Sequence, residues 1–166
     1  MKHNISVPLS DKGIDDLIKN LEEYKEWLKK KTQELVDRLA EQGKQAASFT
    51  FDIAVYDGKK DVSVKTEQRG ENVTAVIAYG STVLILEFGA GVTLGYGHPE
   101  PMEYGPGTYP EQKHAMDPKG WYLPKDVQED AGTDHSVGNP PSMAMYNARK
   151  ELEQDLERIA KEVFSS

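Results

Sequence analysis

The sequence predicts an α+β fold in which a long N-terminal helix and a C-terminal helix flank an antiparallel sheet. Near both ends of the chain, apolar residues recur at three- and four-residue steps, as they do on one face of an amphipathic helix. Between these regions apolar and polar residues alternate, which is typical of half-buried strands. A chain of 166 residues is short enough for one core, so residues 1–166 are predicted to form a single domain.

The first predicted element is a helix over residues 10–43. Its apolar positions are Ile14, Leu17, Ile18, Leu21, Tyr24, Leu28, Leu35 and Leu39. Ser10 or Asp11 can cap its start and Gly43 can end it. About 30 helical residues span roughly 45 Å, which is more than a small sheet can cover. The charged face between the apolar positions is interpreted as facing solvent, with contact to neighbouring subunits as the alternative.

Four strands are predicted within residues 48–88, forming an antiparallel meander with one face packed on a helix. The alternating runs are SFTFDIAVYD, DVSVKTE, NVTAVIAYG and TVLILEFG. The sequences DGKK and RGEN indicate turns, because they contain residues that tolerate positive φ. Glu87, near the end of the last run, is interpreted as facing water or a basic partner, and a catalytic acid is the alternative.

Residues 89–141 are predicted to form an extended loop. They contain eight of the nine prolines and three of the four histidines, without an apolar period. Ordinary connections are about 4–6 residues long, so this length indicates a functional or disordered segment. The loop also contains aromatic residues, which disordered linkers usually lack, and this favours ordering against its own domain or a partner. A C-terminal helix over 142–164 follows, with Ser142 as its N-cap and its apolar stripe packed on the sheet.

Composition argues against several classes of protein. The chain has 20 Lys and Arg residues against 28 Asp and Glu residues, a net charge of -8. Because Lys and Arg supply most of the affinity for phosphate backbones, we expect no specific nucleic-acid binding and no binding to anionic membranes. The absence of cysteine excludes disulfides, thiolate zinc sites and a cysteine nucleophile. Without a recognisable signal peptide or apolar membrane span, we expect synthesis in a cytosol.

Residues that could carry out chemistry are few. His98, His114 and His135 are candidate metal ligands, but intervals of 16 and 21 residues differ from the close ligand pairs of zinc sites. Ser136 follows His135, yet no G-x-S-x-G elbow supports a hydrolase. The stretch GAGVTLGYG matches neither a phosphate-binding loop nor a dinucleotide fingerprint. We therefore expect no catalytic residue, no metal and no cofactor.

Two short motifs carry a resemblance to a known family. One is the strand end Glu87-Phe88-Gly89, and the other is the entry to the C-terminal helix. The residues that match at that entry are Asn139, Pro140, Pro141, Met143 and Ala148. Together they resemble the small neck proteins of long-tailed bacteriophages and prophages, the tail-completion or minor head-tail joining proteins. The loop sequences HPE, YGPGTYP and PKGWYLP are similar to versions from phages of Gram-positive hosts, although the insert between the motifs is longer than in compact members.

The resemblance implies a virion structural protein with neither catalytic activity nor a cofactor. Its subunits would form a ring, commonly hexameric, between the head-closure (adaptor) protein below the portal and the tail terminator or tail-tube protein. DNA would pass through this ring without specific binding, which the negative charge suits. The protein would be made in the host bacterial cytoplasm and reside in the virion neck. Contacts with subunits or adjoining rings are expected at Glu87, Phe88, Gly89, Tyr96, His98, Tyr104, Tyr109, Trp121 and Tyr122.

Three alternatives remain beside this interpretation. The first is a tail terminator that caps the tail tube, which sequence hardly separates from a completion protein. The second is a metal-dependent hydrolase that uses His98, His114 and His135. The third is a small cytosolic binding module whose loop folds on a ligand.

Overall fold

A computed structural model describes residues 8, 10–99, 116–123, 125, 132 and 134–165. In these ranges the chain forms three helices and two small antiparallel sheets. The elements in order are α1 (Asp11–Ile53), β1 (Ser63–Gly70), β2 (Val73–Tyr79), α2 (Val83–Phe88), β3 (Trp121–Tyr122), β4 (His135–Ser136) and α3 (Ala144–Ser165). The mixed α+β class, the long N-terminal helix and the C-terminal helix are confirmed.

Helix α1 begins where the sequence predicts but ends ten residues later. Ser10 is extended, and its Oγ accepts a hydrogen bond from the Gly13 N–H at 3.1 Å. The predicted end at Gly43 is wrong, because α1 continues to Ile53. Gly43 instead lies under α3, where a Cβ atom would come within 2.8 Å of Leu152 Cδ1. At 43 residues α1 is about 64 Å long.

The predicted four-stranded sheet is wrong. Only the second and third predicted strands form, as a hairpin of β1 and β2 in which Ser63 pairs with Tyr79 and Gly70 with Val73. Asn72 in its turn has φ 57°, as the RGEN sequence indicates. A second ladder, β3 with β4, lies within the range predicted as loop. The last predicted strand forms the short helix α2 instead.

The first predicted strand is in fact the end of α1, and the exposure of its side chains follows a helical period. Phe51 is buried, whereas Phe49 and Ile53 are 65% and 63% exposed. A strand would have turned all three side chains to one face, because strand side chains repeat every second residue. The helix turns Phe51 alone towards Leu86 of α2 and Ala144 of α3, which form the central apolar cluster with it.

Helix α3 packs along α1, so the prediction that it lies on the sheet is wrong. Most of the buried residues in the facing parts of these two helices are small. The buried residues are Ala40, Gly43 and Ala47 of α1 and Ala144, Ala148, Ile159 and Val163 of α3. Gln42 of α1 also donates hydrogen bonds from Nε2 to Glu151 and Asp155 of α3, at 3.1 and 2.6 Å. Helix α1 contacts the β1–β2 hairpin as well, so it is the central element of the fold.

Among the described helices, none combines the length and the apolar surface that a membrane span requires.

Asp61 holds the link between β2 and α2. Its Oδ1 accepts hydrogen bonds from the backbone N–H and the hydroxyl of Thr82, at 3.0 and 2.6 Å. Its Oδ2 accepts the same two kinds of bond from Ser81, at 2.7 and 2.8 Å. These four bonds hold the pKa of the Asp61 carboxyl well below its usual range, and the bond from the Thr82 hydroxyl has the largest effect.

Replacing Asp61 by asparagine should lower the free energy of unfolding by about 1 kcal/mol at pH 7, a modest value because the carboxylate is exposed. The pKa is lowered in the folded state, so this stabilisation is present above the unfolded pKa of about 3.9. It disappears as pH falls through the folded pKa. Thermal melts between pH 7 and pH 2 should show a Tm difference that narrows below about pH 4. A difference that stayed constant would contradict the role of the charge.

Candidate functional site

Two segments far apart in the sequence meet beside α2. Residues 86–90 and 139–143 run alongside each other, and we call this pair the junction. Ala90 and Asn139 exchange both backbone hydrogen bonds at 3.0 Å. The Ser142 N–H donates to the Leu86 carbonyl at 2.7 Å, and the Met143 N–H donates to the Glu87 carbonyl at 3.2 Å. The strand-end and helix-entry motifs therefore form one structural unit.

The Glu87 carboxylate caps the N-terminus of α3 from across the junction. Oε2 accepts the Met145 N–H at 2.9 Å, and Oε1 accepts the Tyr146 N–H at 3.0 Å. The first helical hydrogen bond runs from Asn147 to the Met143 carbonyl, so these two N–H groups belong to the first turn and have no acceptor within the helix. Two orphan donors and the positive end of the helix thus face one carboxylate.

This arrangement overturns two sequence expectations. Glu87 is only 5% exposed, so the interpretation that it faces water is wrong. Ser142 was the predicted N-cap, but its buried Oγ has no hydrogen-bond partner among the described residues. Met143, with φ 54°, stands immediately before α3 and turns the chain into the helix. The cap comes from a residue more than fifty positions earlier.

His98 completes the polar part of the junction. Its Nε2 lies 3.3 Å from Glu87 Oε1, and both side chains are only 6% exposed. An ionised carboxylate can only accept hydrogen bonds, so Nε2 is the donor in this pair when the Glu87 carboxylate is ionised. The imidazole lies between the rings of Phe88 and Tyr146, with ring centroids 4.4 and 5.5 Å away. The contact holds residue 98 of the predicted loop against the start of α3.

Gly89 and Asn139 fix the path of the chain where the two segments cross. Gly89 has φ 82°, and a Cβ there would lie 2.9 Å from both Gly95 Cα and Pro141 N. Glycine therefore allows the chain to turn sharply after Phe88. Asn139 is buried, and its Nδ2 donates to the carbonyl of Ile85 in α2 at 3.0 Å.

An apolar groove of about 530 Å³ opens beside the junction, between β2, α2 and the start of α3. Its lining residues are Val76, Ile77, Ala78, Val83, Leu84, Glu87, Phe88, His98, Met145, Tyr146 and Arg149. None of them is a serine, threonine, cysteine or lysine that could act as a nucleophile. Both oxygens of the Glu87 carboxylate already accept backbone hydrogen bonds. This geometry favours a positioning role for Glu87 over acid–base chemistry.

The other predicted contact residues lie apart from the junction or outside the described residues. Tyr122 on β3 is 77% exposed, and its ring packs against His135 of β4. Trp121 is half-buried beside it, and Tyr96 is exposed. The β3–β4 ladder is tied to the chain after α1 by the Ser136 hydroxyl, which donates to Asp57 Oδ2 at 3.0 Å. The predictions for Tyr104, Tyr109 and His114 fall outside the described residues.

The predicted histidine ligands do not gather into a metal site in the part of the chain that is described. His98 pairs with Glu87, whereas His135 contacts Tyr122. Among the described residues, no group of three or more His, Cys, Asp or Glu side chains could hold a metal ion.

Sequence reasoning missed the backbone N–H groups of Met145 and Tyr146 as partners of Glu87. The only local signal for them is a glutamate directly after an apolar run that the fold buries.

Comparison of the chain with known proteins gives no significant match to any family model, curated protein or solved structure.

Proposed function

We propose that this protein is a structural subunit of a bacteriophage neck, a tail-completion or head-tail joining protein that assembles into a ring of its own copies. The sequence resemblance lies on the residues of the junction, where Glu87 is used to hold the start of α3. In the structure, the observation that carries the proposal is an apolar patch at the end of α1. It consists of Phe49, Ile53 and Val55, which are 65%, 63% and 66% exposed.

This patch has the character of a contact surface. Phe49 and Ile53 are four residues apart on α1 and share one helical face, and Val55 lies two residues after the end of the helix. Contiguous large apolar side chains with this exposure are typical of protein interfaces, and phenylalanine is enriched there. A closed ring joins two different surfaces of each subunit. The exposed aromatic residues Tyr96 and Tyr122 are candidates for the second surface.

The buried contacts of the junction also support this proposal. Glu87, Asn139 and Gly89 together fix where the chain leaves α2 and where α3 begins. A ring subunit has to present its contact segments in a defined orientation, and buried hydrogen bonds between distant segments provide that rigidity. The net charge of -8 suits a channel wall that DNA passes without binding. In a neck ring, the partners would be the head-closure protein on one side and the tail terminator or tail tube on the other.

Deleting the gene from a phage that encodes this protein tests the proposal. We expect filled heads and tails of normal length that fail to join, and rescue by the unchanged gene supplied in trans. Rescue should fail with Phe49→Glu, which places a charge in the patch, and should succeed with Val73→Glu, a matched change at a hairpin residue that is 53% exposed. Overlong tails would identify a tail terminator instead. Joined, infectious particles without the gene would refute a neck role.

A further inference from the structure

Among the described residues, the first part of α1 extends beyond the elements that pack on the rest of this helix. The edge of the Trp27 ring contacts Phe164, which is next to the last residue of α3. On the hairpin side, Lys29 lies 4.0 Å from Glu71 in the β1–β2 turn. We call residues 11–26, which precede these contacts, the arm. Its 16 residues correspond to about 24 Å of helix.

An apolar stripe runs along the arm and into the following turn. Ile14, Ile18, Leu21 and Leu28 are 48%, 51%, 48% and 40% exposed. Stripes with this spacing normally face a core, because burying them supplies most of the stability of an amphipathic helix. In the described chain the stripe is left largely in contact with solvent. This surface is separate from the Phe49 patch, which lies at the other end of α1.

The spacing of the stripe is symmetric about Leu21. Ile14 and Leu28 each lie seven residues from it, about two helical turns. Ile18 and Tyr24 each lie three residues from it. When two identical helices pair in opposite directions about a two-fold axis, residues equidistant from the axis meet. Ile14 would then face Leu28 of the second copy, and Leu21 would face its own copy.

The charges of the arm select between the two possible directions. Residues 11–18 contain three aspartates and one lysine, whereas residues 24–31 contain four lysines and one glutamate. An antiparallel pair places the acidic segment of one chain beside the basic segment of the other, at both ends of the contact. A parallel pair would place like charges together, which is unfavourable.

We propose that two copies of this chain pair through their arms, antiparallel and centred on Leu21. The arm is a continuation of a helix that is already anchored to α3, so pairing does not have to nucleate a new helix. The contact is smaller than the roughly 1,600 Å² of a standard interface, so the pair dissociates readily, with a dissociation constant on the order of micromolar. This pairing does not rest on the proposed function.

Cysteine cross-linking tests the pairing and its direction, because the chain has no cysteine of its own. Ile14→Cys and Leu28→Cys are purified separately, one of them with a size tag, and oxidised alone and mixed. Antiparallel arms predict a mixed-size disulfide dimer in the mixture and little product from either variant alone. Leu21→Cys should cross-link to itself, and Val73→Cys on the hairpin is the control that should not. Self-linked Ile14→Cys and Leu28→Cys, or no cross-link in any sample, would overturn the proposal.

A charge substitution at the centre gives a second measurement. In analytical ultracentrifugation, Leu21→Lys should raise the dissociation constant of the dimer at least tenfold. Leu156→Lys, a matched change at an α3 residue that is 47% exposed, should leave it unchanged. Phe49→Glu should also leave arm pairing intact, so failure of the neck proposal and failure of the arm proposal give different results. Equal dimerisation of Leu21→Lys and the unchanged protein would rule out the arm as the contact.

Discussion

Glu87→Gln should lower the free energy of unfolding by about 2–3 kcal/mol, among the largest effects of any single side chain in this fold. The carboxylate is buried, and each of its oxygens accepts one N–H group from the first turn of α3. Glutamine keeps the shape but supplies only one acceptor oxygen, and its amide group points a donor at another donor. One buried N–H group loses its partner, and the charge that favours the positive helix end is lost as well.

Urea denaturation followed by circular dichroism measures this loss, and α3 itself provides the matched control. Glu153 lies on the same helix and pairs with Lys150 at 3.0 Å, but it is exposed. Glu153→Gln should leave the free energy of unfolding nearly unchanged, as is usual for surface ion pairs. If the two variants had the same stability, the capping role of Glu87 would be refuted.

The features that sequence predicted correctly depend on local interactions. Ser10 caps α1 by accepting a hydrogen bond from a residue three positions away, and that requirement is visible in the sequence. The β1–β2 hairpin follows from two alternating runs joined by a turn in which Asn72 adopts positive φ. The amphipathic pattern of α3 predicted a helix within one or two residues of its true ends.

The features that sequence missed depend on contacts between distant segments. Phe49, Phe51 and Ile53 alternate as in a strand, but packing of Phe51 against Leu86 and Ala144 keeps this stretch in α1. Short apolar runs of this kind do not distinguish helix from strand, and the tertiary fold decides between them. Gly43 failed as a stop signal for the same reason, because its missing side chain admits Leu152 of α3.

At the candidate site, too, the local feature was predicted from sequence and the contacts with distant segments were not. Sequence identified Glu87 as unusual because a charged residue ends an apolar run, but it could not identify the partners. These are backbone N–H groups 58 and 59 residues further along the chain, and a backbone donor has no sequence signature. The local sequence pattern predicted Ser142 as the cap of α3. In the folded chain the carboxylate of Glu87, which has two acceptor oxygens, caps this helix instead.

The second large effect is expected at Gly138, where alanine should destabilise the protein by more than about 3 kcal/mol. Gly138 has φ 99°, and an added Cβ would lie 1.9 Å from the Ala90 carbonyl oxygen and 2.6 Å from its carbon. Both atoms are backbone, so no side-chain rotation can relieve the overlap. The segments must separate, which breaks the paired hydrogen bonds between Ala90 and Asn139 and loosens the junction around Glu87.

Gly97→Ala separates the two causes of this loss. Gly97 also has a positive φ of 117°, but an added Cβ there would meet no atom of the described residues within 4 Å. Its alanine variant therefore carries only the backbone strain, about 1–2 kcal/mol. The stability difference between the two variants, measured by thermal or urea denaturation, gives the cost of forcing the junction apart. A Gly138→Ala variant without a folded signal would agree with this expectation. A Gly138→Ala variant as stable as Gly97→Ala would contradict it, because the junction would then accommodate the added Cβ without loss of stability. Residues 86–90 and 139–143 would in that case not be rigidly joined.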